Sequence, residues 1–144
     1  MMSALILTLV LPLLSIPVQD SPETTVDAFH AAVSGDDRDA ALALLDEDVV
    51  IFEAGGAEMS RQEYASHHLG GDMKFAAAVE RTVTDRQSDS RGDIAWVLTR
   101  TETHGSLGER EIHSRGTETM LLRRTDDGWR IVHIHWSSGR IRNP

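Results

Sequence analysis

Two histidine arrangements and a few carboxylates carry the chemistry open to this chain. His133 and His135 stand two apart in the run Gly128 to Ser138, which follows an Asp127-Gly128 turn and is rich in β-branched and aromatic residues. Such a run reads as one long strand. Strict alternation places Trp129, Ile131, His133 and His135 on one face and Val132, Ile134 and Trp136 on the other. Both faces are mostly apolar, so the strand is expected to be covered on both sides. A His-x-His pair on one strand face has metal-ligand spacing. The same pair equally serves as a hydrogen-bonded structural feature at a covered face or a subunit contact.

His68 and Asp72 are four residues apart. If a helix runs through Gly70-Gly71, they share a face. A carboxylate beside an imidazole fixes its tautomer and raises its basicity, which is general-base geometry. A helix that breaks at the two glycines leaves only an ordinary helix end. Glu53 closes a short apolar strand, and Glu118 alternates with Met120 and Leu122. A carboxyl enclosed among apolar groups has a raised pKa and acts as an acid or a base. Arg100, on the face of Trp96 and Leu98, is a possible partner for Glu118. Glu102 reads as a solvated rim residue.

The elements that must position these groups are legible in outline. Ser21-Pro22-Glu23 is a helix start, followed by Val26, Phe29, His30 and Val33 at helical spacing, with Gly35 as the stop. Asp36-Asp37 caps a second, short helix. Val49 to Phe52 is a short strand, turned at Gly55-Gly56. Ser60 to Glu63 has the capping-box pattern and opens a third helix carrying Tyr64, His67, His68 and Leu69, which is expected to stop at Gly70-Gly71. Residues 72 to 78 fit helix or strand. Long strands then follow at 79–85, 94–104, 109–124 and 129–138. Three helices followed by a run of antiparallel strands predict an α+β domain with helices on one face of a curved sheet.

Composition narrows the function. The chain has 144 residues, 40% of them hydrophobic, and a formal net charge of −9. That length supports one core. The acidic balance argues against nucleic acid and anionic membrane as partners. There is no cysteine, which excludes disulfides, thiolate catalysis and thiolate-ligated metal. Ala4 to Leu14 is apolar but shorter than the about 20 residues a membrane span needs. It has the length of an export-signal core, although no basic residue precedes it and no small-x-small cleavage site follows. The expectation is a signal peptide over residues 1–20, a periplasmic or secreted location, and a domain over 21–144.

The order helix, helix, strand, helix and four long strands resembles the nuclear transport factor 2-like superfamily, and within it the SnoaL-like bacterial domains. The ending Gly128-Trp129-Arg130-Ile131-Val132-His133-Ile134-His135 with Ser137 also resembles the end of the association domain of calcium/calmodulin-dependent kinase II. Ser60 to Tyr64, His68-Leu69 and Asp72 resemble the third-helix region of small exported SnoaL-like proteins. The resemblance implies a cone-shaped α+β fold, a pocket at its mouth and a homodimer. Places held by pocket arginines in the kinase domain are Leu98, Met120 and Trp136 here, which implies an apolar rather than an anion-binding pocket. The first-helix tyrosine of ketosteroid isomerase-like members is replaced by Phe29 and His30, and the only tyrosine is Tyr64.

The resulting functional reading is a small-molecule-binding domain with His68 and Asp72 as candidate catalytic groups. Its candidate lining is Glu53, Tyr64, Trp96, Leu98, Glu118, Met120, His133, His135 and Trp136. No cofactor is called for. The alternative is an acid/base enzyme acting on a small apolar carbonyl or hydroxy compound, and a third reading is metal binding through His133 and His135.

Overall fold

A computed structural model describes residues 21–141. The proposed signal segment, residues 1–20, lies outside the described residues. The elements are α1 (Pro22–Ser34), α2 (Arg38–Ala43), β1 (Leu45–Glu53), β2 (Gly56–Glu58), α3 (Arg61–His67), α4 (Leu69–Ala78), β3 (Val79–Arg91), β4 (Ile94–Leu107), β5 (Arg110–Thr125) and β6 (Gly128–Arg140).

Local chemistry explains the helix ends. The Ser21 hydroxyl accepts from the Thr24 amide at 3.2 Å, and the Thr24 hydroxyl accepts from the Ser21 amide at 3.1 Å. Asp37 caps α2 through the Ala40 amide. Ser60 caps α3 through the Glu63 amide, while the Glu63 carboxylate reaches back to the Met59 amide at 2.7 Å, one residue before the position the capping box predicts. The expected third helix is two helices. His68 sits between α3 and α4 as the cap of both, and Gly70-Gly71 lies in the first turn of α4 rather than ending a helix.

The six strands form one mixed sheet in the order β2-β1-β6-β5-β4-β3. Only β1 and β6 run parallel; the other neighbours are antiparallel. Helices α1 and α4 pack on one face, called inner here. Val26, Phe29 and Val33 of α1 join Val97, Met120, Leu122, Ile131 and Ile134 in the core. Each fully buried large apolar side chain contributes roughly 1.5–3 kcal/mol. Gly105 marks a close crossing. Its φ is +153°, and a Cβ there would lie 2.5 Å from the Ala78 carbonyl oxygen, where α4 passes into β3.

Two features of the sheet decide which side chains meet. First, the inner face of β4 carries Ala95, Val97, Thr99, Thr101 and Thr103, all buried. Trp96, Leu98 and Arg100 therefore face outward. Glu118 pairs with Thr99 in register and faces inward, so Arg100 stands on the wrong side to be its partner. Second, β6 carries a bulge. Leu122 pairs with Ile131 and Leu121 with His133, so Val132 is an extra residue. A bulge shifts the alternation by one. Trp129, Ile131, Ile134 and Trp136 consequently face inward, and His133 and His135 face outward. That corrects the strict alternation predicted for this strand. The strand is also not covered on both sides: His135 and Ser137 are exposed.

Candidate functional site

Between the inner face of the sheet and helices α1, α3 and α4 lies a cavity of about 930 Å³. Two carboxylate centres face it, with Trp136 between them. Trp136 stacks on Phe29 (centroids 6.4 Å, interplanar 22°) and leans on Tyr64 (6.4 Å, 51°).

The first centre is Glu118. Its Oε2 accepts from Trp136 Nε1 at 2.7 Å and meets His30 Nε2 at 2.7 Å, while Oε1 accepts from Arg81 Nη2 at 3.4 Å. Burial pushes this carboxyl up, but His30, Arg81 and Trp136 together more than offset that and leave it below its ordinary value. With Glu118 ionised, His30 Nε2 is the donor, and in the neutral ring Nδ1 is then the acceptor nitrogen. Nδ1 has no hydrogen-bond partner among the described residues.

Helix α1 is fixed over this centre by its own polar stripe. Glu23 bonds Ser88, Asp27 Oδ1 accepts from Arg86 Nη1 at 2.8 Å, and His30 meets Glu118. These three positions follow one helix face at i, i+4 and i+7.

The second centre is Asp72 with Tyr64. The Tyr64 hydroxyl donates to Asp72 Oδ2 at 2.7 Å. Burial raises the Asp72 carboxyl, against the opposing pull of Tyr64 and His68. Burial and the charge of Asp72 raise Glu53 as well. Tyr64, fully buried, is pushed up by burial and by Asp72 and stays a proton donor. The two centres thus pull carboxyl pKa values in opposite directions.

Of the residues singled out by sequence, Glu53, Tyr64, Asp72, Glu118 and Trp136 line the cavity. Met120 is fully buried in the core beneath it. Four others gather on the outer face, in two cross-strand rows. One row is Trp96, Leu121 and His133; the next is Leu98, Thr119, His135 and Phe52. His133 Nδ1 donates to the Val50 carbonyl at 2.8 Å and lies edge-on to Phe52. Neither strand histidine reaches the cavity, because the bulge turns both away.

The His68–Asp72 pair is not hydrogen-bonded. His68 contacts Glu58 and is largely exposed, while Asp72 takes the Tyr64 hydroxyl. The kink at His68 separates the two side chains although their backbones are joined by the Asp72 N–H to His68 C=O bond. His30 and Arg81 were not singled out by sequence. A polar His on the apolar stripe of α1 was a legible signal. Nothing distinguishes Arg81 from the other strand arginines before the sheet is folded.

The model of a family described as the SnoaL-like domain matches residues 23–140. This chain belongs to that family. A candidate ketosteroid isomerase from Shewanella frigidimarina is similar to this SnoaL-like domain at 34% identity and TM-score 0.76, over 78% of this chain and 91% of the other. A candidate calcium/calmodulin-dependent protein kinase II association domain from Xanthomonas campestris shares the fold at 15% identity and TM-score 0.66, over 81% and 84% of the two chains. A candidate dehydratase of the NTF2-like family from Streptomyces avermitilis does so at 20% identity and TM-score 0.65, over 84% and 94%. No curated protein matches this chain. The α+β sheet-and-helix architecture is that of NTF2-like proteins.

Proposed function

We propose that this SnoaL-like domain admits a small, partly apolar carbonyl or hydroxy compound to the cavity and transfers protons on it. The observation that carries the reading is the His30–Glu118 contact at 2.7 Å, set across Trp136 from the Tyr64–Asp72 pair. In this reading His30 is the base, and Glu118 orients it and stabilises the imidazolium that forms. Asp72 holds its proton more readily than an ordinary aspartate and, with Tyr64, faces the substrate oxygen as it gains charge. Glu53 adds a second raised carboxyl at the same end. Phe29, Phe75 and Trp136 hold the apolar part of the ligand. The likeness to a candidate ketosteroid isomerase supports proton abstraction beside a carbonyl as the reaction to test first.

The test is a panel of small ketones and β-hydroxyketones in D₂O, followed by proton NMR. Deuterium entering the α-position, or loss of water from the hydroxyketone, is the expected result. H30Q should lower that rate by about 10²–10⁴. Saturable binding with no exchange or elimination anywhere in the panel, unchanged in H30Q, would leave a binding domain and sink the enzymatic reading.

We infer in addition that two copies pair through the outer sheet face. Phe52 and Leu98, 40% exposed each, end one cross-strand row that also holds Thr119 and His135, beside the row of Trp96, Leu121 and His133. An apolar stripe of this kind on an otherwise acidic chain is what a two-fold contact covers. Light scattering after gel filtration should give a dimer mass, and L98R should shift it to monomer. A parent protein that is monomeric at micromolar concentration would refute the pairing.

A further inference from the structure

Away from the Glu118 and Asp72 centres, where His113 borders the cavity, the β4–β5 hairpin brings three metal-ligating groups together. Glu102 and His104 are two apart on β4, and His113 is the register partner of His104 on β5. His104 Nε2 lies 3.1 Å and His113 Nε2 3.0 Å from the same oxygen, Glu102 Oε1. The two imidazole rings are 4.1 Å apart between centroids and inclined by 31°. By alternation all three face away from Thr103 and Ser114, the inner-face neighbours.

We propose that Glu102, His104 and His113 form a binding site for a divalent late transition ion, with Zn²⁺ as the reference ion. The spacing carries the inference. Ligands held at about 2.0–2.1 Å around a tetrahedral ion lie about 3.3 Å from one another. The Nε2–Oε1 separations of 3.1 and 3.0 Å match that closely, and all three ligand atoms lie within 4.8 Å of each other. Two imidazoles and a carboxylate are the donor set borderline ions prefer. The hairpin register runs without a shift from Ile94–Arg123 to Leu107–Arg110, so the three groups sit on a rigid ladder rather than a loop.

Charges of both signs surround the cluster. Glu80 is the register partner of His104 on β3, and Glu111 shares the face of His113 two residues before it. Two opposing charges stand nearby: Arg115, the register partner of Glu102, and Arg100, two residues before Glu102 on the same face of β4; no salt bridge joins either to Glu102 among the described residues. Three protein ligands leave one position of a tetrahedral ion for water or an exchangeable ligand. The site does not use His133 or His135, the pair whose spacing alone pointed to metal.

The experiment uses the full chain without an affinity tag, stripped with chelator and titrated with Zn²⁺ by calorimetry, then with Co²⁺ by visible absorption. One ion per chain is expected, with Co²⁺ giving the absorption of a tetrahedral or five-coordinate site. H104A and H113A should each weaken Zn²⁺ binding by about a hundredfold, the upper end of what losing even a supporting contact costs. E102Q should weaken it too. The paired variant H133A/H135A should bind as the parent does. No saturable uptake at micromolar ion, uptake unchanged in H104A and H113A, or uptake lost only in H133A/H135A would each overturn the assignment. Thermal melts of the metal-free variants check folding separately, since all three groups are on the sheet surface.

Discussion

His30 and Glu118 meet at 2.7 Å although they are 88 positions apart in the chain. The contact joins the first helix to the middle of β5 and places an oriented imidazole at the wall of the cavity. Trp136, from the last strand, donates to the same carboxylate oxygen. With Arg81 of β3, one carboxylate therefore ties together α1, β3, β5 and β6.

Replacing Glu118 tests that tie. Its carboxyl lies below its ordinary value in the folded protein. The unfolded state thus binds more protons in the window beneath the ordinary glutamate value of about 4.3, and stability rises with pH there. The contribution is full above that value and is lost as pH falls through the folded value. E118Q should cost about 1–3 kcal/mol at neutral pH, with a smaller difference below about pH 4. Urea denaturation at both pH values checks this; an equal loss at both would mean the charge is not what Glu118 contributes.

Asp72 should behave in the opposite sense. Its carboxyl is raised on folding. From the ordinary aspartate value of about 3.9 upward to the folded value, the folded state binds more protons and stability falls as pH rises. The deficit then stays constant at higher pH. D72N keeps an acceptor for Tyr64 but removes the buried charge. It should be at least as stable as the parent at neutral pH, with the gap closing in acid, while proton transfer falls by about 10²–10⁴. A variant clearly less stable at neutral pH would show that Asp72 is mainly a structural anchor for Tyr64.

G105A tests the crossing of α4 and β4. A Cβ at this position would meet the Ala78 carbonyl oxygen at 2.5 Å and Val79 Cα at 2.8 Å, both backbone atoms that do not rotate away. The positive φ adds strain for any other residue. The expected cost is about 1–3 kcal/mol, read as a lowered thermal midpoint. An unchanged midpoint would mean the helix end shifts freely.

His133 offers a contrast with His30. It donates to the Val50 carbonyl on the outer face. H133A should lose about 0.5–1.5 kcal/mol of stability and leave binding in the cavity unchanged. A large loss of ligand binding with stability intact would place His133 at the site after all.

Much of this protein was decided locally and is legible in its residues. Ser21-Pro22, Asp37 and Ser60 fix helix starts because capping is a contact within four residues. The alternation of β4 and β5 marks their strands because side-chain period two is a property of the backbone. Glu118 could be placed on the inner face from Met120 and Leu122 alone, and Glu53, Tyr64, Asp72 and Trp136 could be singled out for a cavity from residue type and position. The tertiary structure decided the rest. The bulge at Val132 depends on how β5 and β6 register, and one extra residue moved His133 and His135 to the opposite face. The break at His68 depends on how α3 and α4 settle on the sheet, and it gave Asp72 to Tyr64 rather than to His68. Arg81, His30 and the Glu102–His104–His113 cluster exist only once strands distant in sequence lie side by side, because a charge or an imidazole acquires its chemistry from partners that the local chain does not contain.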